Sequence, residues 1–251
     1  MKHVLRKYAL KLIQDTPLEA TVRDLAVRVS SGKGADYDRE TVEVMATCLR
    51  RSSNCIDVGA YRGDILRHIV RFAREGEIHA IEPVAENCEY LLKRYKAVDI
   101  HNLALSDQVG ELSFFHVLGR PARSGLKKQH YPDPNEEVRE IKVRVDTLDN
   151  LIPAQTRIDF IKIDVEGAEL NVLRGGQALI RRCRPVIVLE HTEDASLKFS
   201  STSEDLRAFL VDDCGLQLST MRRWLDKHTP LTSEEFHRAR TDQQEMYFIA
   251  Y

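Results

Sequence analysis

The sequence predicts a doubly wound α/β fold built on a mostly parallel sheet and preceded by a helical extension. Three observations carry that expectation. From Asn54 onward, short apolar runs alternate with amphipathic stretches. A glycine-containing turn, Asp57-Val-Gly-Ala-Tyr-Arg-Gly63, joins the first run to the first amphipathic stretch. Residues 1–50 keep helical spacing instead. Strands spaced by helices are βαβ units, and their right-handed crossovers give a parallel sheet with helices on both faces.

The elements read in order as follows. Val4, Leu5, Tyr8, Leu12 and Ile13 recur at helical spacing, as do Leu18, Val22, Leu25 and Val29. Ser30-Ser-Gly-Lys-Gly34 breaks that pattern, and residues 40–49 read as a further helix. Residues 55–58, 77–81 and 98–105 read as the first three strands, with helices at 65–73 and 86–95 between them. Residues 158–163 and 185–190 are two later strands, and a helix follows the former through Leu173. Two alternating stretches, 111–117 and 138–145, interrupt the rhythm. Residues 118–137 between them are rich in Gly, Pro and charge, the composition of a lid or binding loop. Towards the end, 206–211 reads as helix, and 216–219 and 244–251 read as a closing antiparallel strand pair.

Composition narrows the function classes. A formal net charge of −2 over 251 residues creates no overall field for nucleic acid or an acidic membrane, so neither is expected as a partner. No apolar run is long enough to span a bilayer, and no signal peptide is read at the start. The five cysteines are scattered without a Cys-x-x-Cys pair, which points to reduced thiols and a cytoplasmic protein. A dimer is compatible with the sequence, which specifies no oligomeric state.

The chemistry concentrates at strand ends. Gly59 and Gly63 permit a tight turn and a close backbone approach. Asp57 occupies the place where dinucleotide binders have their first glycine. A carboxylate repels a pyrophosphate but suits an ammonium group, such as that of S-adenosylmethionine. Glu82 ends the next strand at the offset where an acid accepts hydrogen bonds from ribose hydroxyls, and Pro83 stops that strand. Asp164 falls at the carboxyl end of strand 158–163, where open α/β sheets bind ligands, and Lys162 shares its strand face. Glu166 is a second candidate there, whereas Glu169 reads as a helix cap. His191 follows the strand ending at Glu190, and its ordinary pKa suits a general base. Asp164, Glu190, His191 and Asp194 offer ligands for a hard cation such as Mg²⁺, but strand-end carboxylates are common without one and no metal ligand is assigned.

Together the Ile56–Gly63 turn, Ala80-Ile-Glu-Pro83, Asn102-Leu-Ala-Leu-Ser-Asp107, Val145-Asp-Thr-Leu-Asp149 and Asp159-Phe-Ile-Lys-Ile-Asp-Val-Glu-Gly-Ala-Glu-Leu170 resemble the FkbM family of S-adenosylmethionine-dependent methyltransferases. The resemblance implies a seven-stranded class I methyltransferase sheet over residues 51–251, with residues 1–50 as an extension. It implies methyl transfer to a hydroxyl of a small molecule, sugar or glycan, with S-adenosylmethionine as cofactor. By motif position, Asp57, Gly59, Ala60, Tyr61 and Gly63 would line the methionine end. Glu82 and Pro83 would hold the ribose, Ala104 and Leu105 would border the adenine, and Asp164 would face the transferring methyl. The resemblance implies no base, and His191 assisted by Asp164 or Glu166 is the expectation read from the residues. Two rivals use the same fold: a nicotinamide-dependent dehydrogenase, which Asp57 disfavours, and a non-catalytic adenosyl-ligand module. Amide or amine methylation is weakened because no Asn-Pro-Pro-Tyr motif follows Asp164.

Overall fold

The computed structural model describes residues 33–128, 135–241 and 245–251. The helices expected at 4–13 and 18–29 lie outside these residues, as does the centre of the 118–137 loop. The chain divides into two compact units, Met1–Glu40 and Thr41–Tyr251. Helix α1 runs over Lys33–Cys48, so it starts ahead of the expected 40–49. Gly34 sits in its first turn, where a glycine interrupts few helical hydrogen bonds, and Asp36 there favours the helix dipole.

The larger unit is a seven-stranded sheet in the order β3-β2-β1-β7-β8-β10-β9. The strands are β1 (Cys55–Val58), β2 (Ile78–Ile81), β3 (Asp99–His101), β7 (Phe160–Ile163), β8 (Val186–Glu190), β9 (Leu218–Thr220) and β10 (Tyr247–Ala250). β10 runs antiparallel to both its neighbours, and the other pairings of this sheet are parallel. The expected closing pair is therefore β9 with β10. β1, β2 and β7 are buried at every position, as strands covered on both faces must be. Helix α2 (Leu66–Phe72) links β1 to β2, and α3 (Ala85–Arg94) links β2 to β3. α4 (Leu148–Leu151) precedes β7, and α5 (Glu169–Arg174) and α6 (Gln177–Cys183) link it to β8. From β1 the chain winds one way through β2 and β3, then returns to β7 and winds the other way. Right-handed crossovers place the helices of the two halves on opposite faces.

The single third strand expected at 98–105 is two strands. β3 joins the main sheet, while β4 (Ala104–Leu105) pairs with β6 in a separate three-stranded sheet. Asn102 makes the break: its side-chain amide donates to the Glu82 and Pro83 carbonyls at 3.1 and 3.0 Å. The two alternating stretches are β5 (Gly110–Val117) and β6 (Val138–Asp146), an antiparallel pair in continuous register. After β8 come α7 (Glu193–Ser196) and α8 (Ser203–Arg207), the latter closed by a capping box from Thr202 and Asp205 and continued by a π-helical turn, Ala208–Asp213. α9 (Met221–Leu225) and α10 (Ser233–Thr241) separate β9 from β10. The main core lies on the sheet, from Ile56 and Val58 to Phe236 and Phe248.

Candidate active site

The sheet reverses its winding between β1 and β7, and the crevice at their carboxyl ends is where this architecture binds ligands. Gly59 stands at that point with φ +78°. A Cβ there would lie 2.0 Å from the Asp164 carbonyl oxygen, so glycine is required by the close passage of β7. The Gly59 and Ala60 N–H groups both donate to the Ile81 carbonyl at 3.0 Å. These two donors therefore fix the turn onto β2. Gly63, at φ +82°, makes way for the Tyr95 ring.

Glu82 completes the turn. Its Oε2 accepts from the Tyr61 N–H at 2.9 Å, and its Oε1 accepts from the Val84 N–H at 2.9 Å and the Asn87 amide at 3.1 Å. Tyr61 holds the left-handed region, φ +49°, which aims its N–H at this carboxylate. Burial raises the pKa of Glu82, against the pull of these three donors. Oε2 carries one of these bonds, and a carboxylate oxygen can accept two. Pro83 is half-buried beside it, while Ala104 and Leu105 are buried in β4.

Asp57 lies beneath the turn. It is fully buried, and neither oxygen has a hydrogen-bond partner among the described residues. Register places it opposite Lys162 of β7, whose Nζ is 3.8 Å from Oδ1. Burial pushes Asp57 up to about 6, and the Lys162 charge opposes that rise. The position expected to meet a ligand's ammonium group thus meets a lysine of the protein. The same Nζ is 3.3 Å from Asp164 Oδ2 and 3.4 Å from the Gly59 carbonyl, so one buried cation ties β1 to β7 at the crevice floor.

Three carboxylates gather above it. Single oxygens of Asp164, Glu166 and Glu190 lie within 4.8 Å of one another. Asp164 also accepts from the Tyr247 hydroxyl at 2.9 Å. Burial would raise Asp164, but Lys162, Tyr247 and Glu190 outweigh it and hold the group below the usual carboxylate range. Burial and repulsion from Asp164, Glu166 and Glu169 push Glu190 up to about 10. At neutral pH the pair therefore carries one charge and one proton. Burial, then repulsion from Asp164 and Glu169, pushes Glu166 up to about 8, while Arg123 and Lys198 pull it back. Glu166 also holds φ +59°, a conformation that costs about 1–3 kcal/mol outside glycine and is found at functional sites. Glu169 acts as expected of a cap, with Oε1 accepting from the Val165 and Gly167 N–H groups at 3.1 and 3.0 Å.

His191 is elsewhere. Its ring is 3% exposed, with Nε2 2.7 Å from Ser203 Oγ and Nδ1 3.1 Å from Ser196 Oγ. Successive residues of a strand point to opposite sides, so Glu190 facing the crevice turns His191 away from it. His191, expected as the base, is thus bonded to two serine hydroxyls and does not join the carboxylate group. Of the four residues offered for a hard cation, Asp164 and Glu190 join the carboxylate group; His191 and Asp194 do not. Tyr247 is the site residue the sequence reading missed. It reaches Asp164 because β10 pairs with β8 in the register Tyr247↔Glu190. The loop after β5 also reaches the site: Gly125 bridges to Phe115, and a Cβ on it would lie 3.3 Å from Glu166 Cβ.

The profile of the methyltransferase FkbM domain matches residues 57–218, from the glycine turn to β9. The chain belongs to the FkbM methyltransferase family. Among solved structures, methyltransferase FkbM from Methylobacillus flagellatus KT aligns at 17% identity with a TM-score of 0.51. The alignment covers 91% of this chain and 57% of that one, so this FkbM chain spans little more than half the length of that relative. A TehB-like SAM-dependent methyltransferase from Corynebacterium glutamicum aligns at 11% identity with a TM-score of 0.43, covering 92% of each chain. The plantazolicin methyltransferase BpumL, solved with a pentazolic desmethylPZN analog and SAH, aligns at 11% identity with a TM-score of 0.45, covering 98% of this chain and 94% of that one. At 17% identity the likeness to the Methylobacillus flagellatus protein is one of fold. No curated protein matches the sequence. Among the described residues no helix of this FkbM protein is long and apolar enough to cross a membrane.

Proposed function

We propose that this FkbM protein is an S-adenosylmethionine-dependent O-methyltransferase acting on a hydroxyl of a small molecule, sugar or glycan. The observation that carries the reading is the carboxylate group Asp164, Glu166 and Glu190 beside the glycine turn at the switch point. The donor set fits the cofactor. Asp164 keeps its charge beside a partly ionised Glu166, an environment that favours a sulfonium over a diphosphate. The spare acceptor capacity of Glu82 Oε2 suits a ribose hydroxyl. This argues against the nicotinamide reading.

The cofactor supplies a methyl group already activated by the sulfonium, so the protein must orient the acceptor and accept its proton. Glu166 takes that proton. Held up at about 8, it is basic enough to accept a hydroxyl proton and partly ionised near neutral pH. Asp164, fixed by Lys162 and Tyr247, orients the acceptor hydroxyl, and protonated Glu190 keeps Asp164 in place by donating to it. Gly125, in the loop after β5, passes beside Glu166, and the charge of Arg123 favours its ionised form.

Two measurements test this. Calorimetric titration should show binding of S-adenosylhomocysteine and none of NADH; failure to bind S-adenosylhomocysteine removes the reading. Methyl-labelled S-adenosylmethionine supplied with a panel of polyols, monosaccharides and phenols should label a hydroxyl. Turnover should rise with pH through about 8, as Glu166 loses its proton. Labelling confined to amines would refute O-methylation while leaving the cofactor intact.

A further inference from the structure

A second polar cavity opens at the opposite pole of the sheet, between the amino ends of β1, β7 and β8, with a volume of about 490 Å³. Its wall carries Arg50, Arg157 and Arg184 against one carboxylate, Asp159. That carboxylate is already used. Its Oδ1 is 3.0 Å from Arg157 Nε, and its Oδ2 accepts from the Asn54 N–H at 3.0 Å. Arg157 and Asp159 neutralise each other, which leaves Arg50 and Arg184 and a local charge of two positives in a chain of net charge −2.

The two remaining guanidiniums differ usefully. Arg184 is braced, donating to the Cys214 and Gly215 carbonyls at 3.5 and 2.6 Å, and a guanidinium has five N–H donors, so others remain free. Arg50 makes no ion pair or side-chain hydrogen bond among the described residues, so its donors are all available. Ser53 lines the same cavity; it is 5% exposed and accepts from the Arg50 N–H at 3.0 Å, leaving its own O–H to donate. Burial keeps the Cys48 thiol on the same wall protonated, pushed up to about 12, so it adds no opposing charge.

We propose that this cavity binds a phosphomonoester, its phosphate held by Arg50, Arg184 and the Ser53 hydroxyl. Such a group carries about −1.5 to −2 charge at pH 7 and so matches two guanidiniums. The volume lies in the range of small-molecule pockets, which leaves space for an organic body behind the phosphate. β1, four residues long, separates this cavity from the crevice by about 13 Å at ~3.3 Å per residue. The ligand is therefore not the methyl acceptor in its reacting position, and the site stands whether or not the chain methylates a hydroxyl.

Calorimetry with ribose 5-phosphate, inorganic phosphate and ribose tests the proposal. Ribose 5-phosphate should bind, more weakly as salt is raised, and ribose should not. Inorganic phosphate should bind the same site more weakly. Arg50→Gln should lower the ribose 5-phosphate affinity about tenfold or more, the value of a hydrogen bond to a charged group. Because Arg50 braces nothing, this variant should fold and keep its affinity for S-adenosylhomocysteine. Arg184→Gln should weaken phosphate binding as well. Absence of ribose 5-phosphate binding at millimolar concentration, or binding that Arg50→Gln leaves unchanged, overturns the site. Loss of S-adenosylhomocysteine binding in the wild-type chain would instead strike the methyltransferase reading.

Discussion

Glu190 and His191 are neighbours at the end of β8, yet one meets two carboxylates and the other two serine hydroxyls. The Glu190 side is polar, crowded with like charge and joined to the crevice; its protons sit on groups whose pKa values are displaced. The His191 side is closed: Ser196 and Ser203 are 1% and 3% exposed, and Ser203 also bonds Glu193. By residue type alone the histidine is the better base. Placement favours the carboxylate side, because the imidazole is buried and both its nitrogens face serine hydroxyls, whereas Glu190 and Glu166 join Asp164. The comparison teaches that orientation at a strand end comes before acid–base aptitude.

The sharpest way to break the comparison is to remove the proposed base on the crevice side. Glu166→Gln should lower methyl transfer about 10²–10⁴-fold, the usual worth of a positioned base, and leave S-adenosylhomocysteine affinity unchanged. Single-turnover rates with a labelled methyl donor, beside calorimetry, separate the two quantities. A variant as fast as the parent would return the base role to another group.

Lys162→Met attacks the floor of the same side. It leaves Asp57 buried and Asp164 half-buried with no ammonium between them. Breaking a buried ion pair by removing one partner costs about 3–5 kcal/mol, read from urea unfolding. Adding Asp57→Asn should recover much of that loss, because the fully buried charge is then gone. A double variant no more stable than the single one would show that Asp57 is not the partner that matters.

On the closed side, His191→Ala should cost about 2–3 kcal/mol, for the void and two serine hydroxyls left short of a partner. Turnover per folded molecule and the pH profile of turnover should stay as in the parent. A changed pH profile would place the ring in the reaction after all.

What the sequence disclosed follows the same division between local and non-local causes. The βαβ alternation, the turn at Asp57–Gly63, Glu82 at the end of β2 and Asp164 at the end of β7 are local patterns, and the structure places each at the expected strand end. The pairing of Asp57 with Lys162 is a matter of register between strands distant in sequence. Tyr247 enters the site through the pairing of β10 with β8, whereas the local pattern speaks only for a strand at 244–251 beside 216–219. The split of residues 98–105 into β3 and β4 depends on Asn102 reaching the carbonyls of Glu82 and Pro83. The two-arginine cavity needs three strand beginnings to converge, which the linear order of Arg50, Arg157 and Arg184 does not reveal.

A last effect concerns stability against pH, and it tests the electrostatics of the crevice side directly. Glu166 and Glu190, pushed up to about 8 and about 10, hold their protons in the folded chain, whereas in the unfolded chain they release them near 4.3. Between about pH 5 and 8 these two groups thus bind more protons in the folded state than in the unfolded one, and their contribution to stability falls as pH rises. Asp164, whose pKa is lowered, gives a stabilisation that is complete above its unfolded value and so adds no slope in this window. Each retained proton contributes at most about 1.4 kcal/mol per pH unit. Urea unfolding at pH 5, 6, 7 and 8 should show this contribution as a shallower pH dependence, or a rise, in Glu166→Gln, which cannot titrate, relative to the parent. A decline as steep in Glu166→Gln as in the parent would mean that Glu166 is ionised in the folded state, and it could not then be the group whose deprotonation lifts turnover near pH 8.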